Sequence, residues 1–292
     1  MSSILSRRRP RHPVPAGLFA PLALLLAALA GPAHADATYD GIQSRQSVRI
    51  GVNLSGLPFG TYEPGTSNPV GYAVDLARDV GAKLGVATEI VPVVAANRAL
   101  FLQQGKVDLL IANMTLTPGR ADNMDYVPTP YEQLGGAAVV RKGSAIRDWG
   151  DLRGQPVCMS QGASFQTPLT ETYQAVIKAF RTQSESLLAL RGNNCVAAVL
   201  NSPIMHELIR KPEWSDYEIP IPTDLIPQDS VIWVRKGETQ TRDLLDRIVQ
   251  DWHRSGLLLQ TARKFNMQPS PLVVELRVKY RALAPLATPV RP

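Results

Sequence analysis

Apolar and polar positions along this chain alternate between two periods. Residues 47–53, "SVRIGVN", and 88–94, "TEIVPVV", carry the short apolar runs of buried strands. Between them, 72–85 reads "YAVDLARDVGAKLG", with Leu76, Ala77, Val80 and Leu84 on one face of a helix that Gly85 ends. "AANRALFLQQG" (95–105) predicts a second helix and "VDLLIA" (107–112) a third strand. Strands alternating with helices predict a parallel sheet. The pattern then restarts. Strands are expected at 136–143, 154–162 and 195–201, and helices at 167–180, 184–192 and 202–210. A strand over 230–237 and a helix whose apolar face is Leu244, Leu245, Ile248, Val249 and Trp252 follow. "VVRKGS" and "IWVRKGE" end alike, as one strand leaving a lobe and another returning to it. The expectation is two α/β lobes joined by crossing segments near 134–136 and 228–231.

The two ends of the chain fall outside this pattern. Residues 1–35 hold a basic stretch, an apolar run shorter than the roughly 20 residues of a membrane span, and "AHA" before Asp36. That is the layout of a secretory signal peptide, with cleavage after Ala35 and a periplasmic location. The division expected is 1–35 signal peptide, 36–134 first lobe, 135–229 second lobe, 230–266 return to the first lobe, and 267–292 a tail rich in Pro and Ala. Within that tail, 272–280 reads as a strand or short helix, and the last dozen residues as disordered.

Removing the leader takes away four of the 31 basic residues and none of the 25 acids, which leaves a net charge of +2. With no basic run in what remains, a nucleic-acid partner is not expected. An exported pair of cysteines, Cys158 and Cys195, points to a disulfide. The two histidines left, His206 and His253, have no zinc spacing to either cysteine, and there is no G-x-S-x-G elbow. Neither a metal nor any other cofactor is expected.

The chemistry concentrates in "IANMTLTPGR" (111–120). In open α/β sheets ligands bind beyond the carboxyl ends of the strands, so Asn113 and Thr115 point into such an edge. Thr117-Pro118 is a helix start, which puts Arg120 in the first turn, against the helix dipole. An anion held there would make the arginine and the helix N–H groups act together. The alternative is a surface arginine paired with Asp122 or Asp125.

Taken together, "VRIGVN…LPF", "VGYAVDLARDVGAKLG", "GKVDLLIANMTLTPGR", "VPTPY" and "VVRKGS" resemble the bacterial extracellular solute-binding proteins of family 3, from about Ser47 to Asn266. The resemblance implies the type II periplasmic-binding fold, two α/β sandwich lobes that close on a ligand. It implies a monomer that delivers a polar amino acid to the membrane permease of an ABC importer, without chemistry on it. By resemblance, Arg120 clamps the ligand's carboxylate, with Thr115 and Asn113 beside it. "SQGASF" (160–165) supplies Gly162 and Ser164 from the second lobe. A Cys158–Cys195 bridge would tie two strands of that lobe, and Arg98 would hold a second carboxylate.

Two positions depart from the family's pattern. Asn201 stands where an aspartate usually holds the ligand's ammonium, and Asn53 where another acid is common. The expected ligand is therefore a small anion, an acidic amino acid or a dicarboxylate, unless Glu63 or Asp229 compensates. Two other readings remain. An enzyme of the cyclohexadienyl dehydratase type on the same fold needs a general acid in the cleft, and none is in view. A sensory module would sit next to a transmembrane helix and an effector domain, and neither is in view.

Overall fold

The computed structural model describes residues 36–291. The expected signal peptide and its cleavage site lie outside them. Two sheets organise the chain. The first has the strand order Ala87–Val93, Ser47–Asn53, Leu109–Leu110, Trp233–Arg235, Met124–Tyr126; its first three strands are parallel and Trp233–Arg235 runs antiparallel to both neighbours. The second has the order Tyr217–Glu218, Glu132–Arg141, Ala197–Asn201, Pro156–Ser160, Val176–Phe180, with Leu225–Ser230 also paired to Glu132–Arg141. This is the two-lobed α/β architecture that the alternation predicts.

Local sequence explains most elements. Helix Tyr72–Leu84 buries Leu76, Ala77, Val80 and Leu84, and ends at Gly85 with φ 71°. Helix Thr239–Ser255 buries the expected Leu244, Leu245, Ile248, Val249 and Trp252 against the same core. The second lobe is covered on both faces, by a cluster around Trp149 and Phe165 and another around Trp214 and Met205. Cys158 and Cys195 form a disulfide with Cα atoms 5.7 Å apart, joining the parallel strands Pro156–Ser160 and Ala197–Asn201 at one end.

Four differences from the sequence reading have physical causes. The helix expected over 167–180 is a six-residue helix, Gln166–Glu171, followed by strand Val176–Phe180. Gln174 turns the chain at φ 55°, and the β-branched Val176 and Ile177 then pair beside Pro156–Ser160. The strand expected over 230–237 divides: Leu225–Ser230 belongs to the second sheet and Trp233–Arg235 to the first. Accordingly the chain leaves the first sheet through 127–131, a few residues earlier than expected, and returns through 231–232. These segments run side by side, Val127 N–H to Ile232 O at 2.9 Å and Tyr131 N–H to Ser230 O at 3.0 Å.

Third, the short helix that was one of the two readings of 272–280 forms, and the residues after it, expected to be disordered, are docked as far as 291. Helix Pro271–Tyr280 buries Val273 and Leu276. Beyond it, Val290 is buried and its N–H donates to Lys83 O at 2.7 Å. Last, a helix the sequence reading lacked, Ala37–Arg45, precedes the first strand, capped by Asp36.

Candidate functional site

Strand ends from both lobes converge on one cleft. Strand Leu109–Leu110 runs out into Asn113, which adopts φ 52°, a left-handed conformation that asparagine tolerates. This turn presents the carbonyls of Ala112 and Asn113 to Arg98, whose Nη1 donates to them at 2.5 and 3.0 Å. Arg98 is 4% exposed on helix Arg98–Gln103, so it is not a surface arginine. Burial, and then the nearby charge of Arg120, pull its pKa down to about 9. Burial brings Arg120 to about 10.

Arg120 sits on a single helical turn, Pro118–Ala121, started by Thr117 and Pro118 as expected. One turn carries little dipole, so the helix-end argument for anion binding loses its weight here. Nor does Arg120 pair with an acid. Asp125 bonds Lys236 at 3.1 Å instead. The guanidinium donates to Thr115 O at 2.6 Å, Thr115 Oγ1 at 3.2 Å and, across the cleft, Gly162 O at 2.9 Å.

From the second lobe, the loop after strand Pro156–Ser160 brings Gly162 and Ser164 to the first. Ser164 Oγ lies 3.1 Å from Thr115 Oγ1, which also donates to Gln228 Oε1 at 3.0 Å. Gly162 takes φ 76°, and a Cβ there would lie 2.7 Å from Ala95 O. Only glycine allows this approach of the two lobes.

Between them lies a cavity of about 30 Å³ lined by Asn53, Ala95, Arg98, Asn113, Thr115, Ser160, Ala163, Ser164, Phe165, Gln183, Leu200, Asn201 and Ile204. Six of the eight expected ligand residues are here. Gly162 and Arg120 stand behind the wall, joined to it through the bonds above. Among the described residues, Arg98 is the one ionisable side chain of the lining, which holds no carboxylate. Asn53 Oδ1 accepts from Ser55 N–H at 2.9 Å. Neither acid considered as a substitute reaches the cavity: Glu63 bonds Thr66 and Asp229 accepts from Gln133. Three buried polar atoms of the lining have no partner, Asn113 Oδ1, Ser160 Oγ and Gln183 Oε1. Buried polar atoms are seldom left bare, so these are positioned to meet a ligand or its water.

Ser160 and Phe165 lie in the expected "SQGASF" loop without having been singled out, and Gln183 and Ile204, also in the lining, escaped the sequence reading. Gln183 opens helix Gln183–Arg191 directly after strand Val176–Phe180. The strand-end rule that found Asn113 would have found it too, had 176–180 not been assigned to a helix.

The profile of the bacterial extracellular solute-binding proteins, family 3, matches residues 48–268. The chain belongs to this family. YhdW of Escherichia coli O157:H7, named for binding in amino-acid ABC transport, is 30% identical over 182 residues, 59% of this chain and 53% of that protein. The chain thus spans about half the length of that relative. The L-glutamate/L-aspartate-binding protein of Pseudomonas aeruginosa is 23% identical over 268 residues, 85% of this chain and 87% of its own. Among solved structures, a P235GK mutant of ArgBP from T. maritima superposes with a TM-score of 0.72 at 26% identity, covering 78% of this chain and 99% of that one. As a family 3 solute-binding protein, the chain has its cavity where the two lobes meet, and its C-terminal helix lies beyond the matched region.

Proposed function

We propose that this chain is the periplasmic receptor of an ABC importer and captures a small carboxylate, an acidic amino acid or a dicarboxylate, for delivery to a membrane permease. One observation carries the reading: among the described residues, a buried arginine is the only charged group of a cavity that holds no carboxylate. A buried cation without an acid is costly until an anion reaches it. Binding without chemistry fits the same lining, which has no carboxyl to serve as a general acid. The glutamate- and aspartate-binding relative is in keeping with an anionic ligand, but relatives named for arginine, glutamine and cystine are equally similar, so the cavity and not the likeness carries the anionic class. ArgBP is similar in fold, so fold alone does not select the charge of the ligand.

The dicarboxylate branch rests on Asn201, which lines the cavity as a neutral amide. It accepts a hydrogen bond from an ammonium without the strength of a carboxylate.

A thermal-shift panel of glutamate, aspartate, succinate, glutamine and arginine tests the proposal. The acids should stabilise the protein most. Arg98→Ala should weaken their binding by about 2–5 kcal/mol while leaving the fold intact. A clear preference for arginine over every acid would overturn the anionic reading.

A further inference from the structure

A second cavity of about 300 Å³ adjoins the first and shares two walls with it, Gln183 and Ile204. It too bridges the lobes, with Ser55, Gly56 and Leu57 on one side and the helix bearing Leu187 and Leu188 on the other. Its lining includes Leu208 and Trp214 and is mostly apolar by area, with Glu207 and Lys211 as its charged members. Leu188 is 64% exposed and Leu57 37%, although both face this cavity. An apolar group docked in this cavity would cover both leucines.

The second cavity is the roomier of the two in the same closed arrangement. The charged end of a ligand fits the smaller one, and whatever else the ligand carries has its room in the larger. Amides are prominent in the smaller cavity, and one of them, Gln183, also faces the larger. Asn53, Asn113, Asn201 and Gln183 line the first cavity, and Oδ1 of Asn113 and Oε1 of Gln183 have no partner. A side-chain amide both donates and accepts, and so does an amide bond in a ligand. An ammonium would ask for a carboxylate that the lining does not hold.

We propose that the ligand is an N-acylated amino acid: its carboxylate bonds Arg98, its amide lies against the Asn and Gln side chains, and its acyl chain occupies the cavity of Leu57, Leu187, Leu188 and Trp214. This rests on the anionic reading above and extends it to the rest of the ligand. The acyl nitrogen carries no charge, which accounts for the neutral Asn201 and Asn53.

Calorimetry on the processed protein with L-glutamate, N-acetyl-L-glutamate and N-hexanoyl-L-glutamate tests this. Each methylene taken from water strengthens binding roughly three- to fourfold, so the hexanoyl compound should bind at least about tenfold tighter than the acetyl one. Leu188→Glu places a carboxylate on an exposed position of the apolar cavity. It should abolish that difference, with N-acetyl-glutamate as the internal reference. Equal affinities for the acetyl and hexanoyl compounds, or a hexanoyl advantage that survives Leu188→Glu, would overturn the inference. Glutamate binding would in either case keep the anionic reading standing. If no acid in the set binds, both fall.

Discussion

Arg98 shows how much one side chain decides. It is buried against three backbone carbonyls, those of Ala112, Asn113 and Gly162, near the charge of Arg120, and no acid among the described residues pairs with it. Asn113 and Thr115 were legible because a strand ended in front of them. Arg98 was legible only as a resemblance, since a helix arginine is ordinarily exposed, and the carbonyls of Ala112 and Asn113 that hold it belong to a turn with no local signature. Another buried ionisable side chain, His253, makes a prediction of its own. It is 1% exposed, and its Nε2 donates to Pro130 O, 2.8 Å away, in the crossing segment. Burial lowers its pKa below 6.5. The unfolded chain therefore takes up the proton first as pH falls through 6.5, and the stability due to the neutral ring is lost from there toward the lower folded value. Glu132 works the other way: burial raises its pKa, so the fold holds its proton more readily than the unfolded chain. Comparing melting temperatures of the native protein and His253→Gln between pH 7.5 and 5 removes the Glu132 contribution common to both. The native protein should lose more stability over that interval. Parallel curves would mean that His253 does not carry the acid sensitivity.

Elements were legible in proportion to their length and period. Helices Tyr72–Leu84 and Thr239–Ser255 show clear apolar faces and a glycine stop each. Strand Val176–Phe180 did not, because a short apolar run fits either period and a tertiary partner chose between them. The C-terminal helix Pro271–Tyr280 could be read from its sequence only as a strand or a short helix. Its apolar residues are divided between buried Val273 and Leu276 and exposed Val274 and Val278, so no single face stands out. Its packing is nonetheless specific. Tyr280 stacks on His253 with ring centroids 5.8 Å apart, Arg277 donates to His253 O at 3.1 Å, and Ser270 N–H reaches Glu132 Oε1 at 3.2 Å. Truncation after Gln268 removes three buried aliphatic side chains, Val273, Leu276 and Val290. At about 1.5–3 kcal/mol for each fully buried side chain, the loss should lower the melting temperature by several degrees. An unchanged melting curve would show that the segment is an appendage.

At the scale of the whole molecule, two sheets communicate through 127–131 and 231–232, which are hydrogen-bonded to each other. Few residues cross, so rotation of one lobe about these segments is the soft motion. Contacts between the lobes, Arg120 to Gly162 O and Thr115 to Ser164, cross the cleft beside Arg98, so parting of the lobes widens the way to it. Small-angle scattering of the protein, expected as a monomer, should show a wider particle that contracts when a saturating ligand is added. Binding by calorimetry without contraction would count against closure on the ligand. The contacts that shut the cleft are made by the protein itself: Arg120 to Gly162 O, Thr115 to Ser164, and Gly162 within reach of Ala95 alone because it lacks a Cβ. That has a kinetic side. Molecules already shut are invisible to an arriving solute, and their fraction is subtracted from the apparent affinity. As solute concentration rises, capture should stop accelerating and settle at the rate at which the cleft unlatches. Substituting Gly162 would then raise the ceiling on capture speed and shorten the time a captured molecule is held, trading retention for throughput.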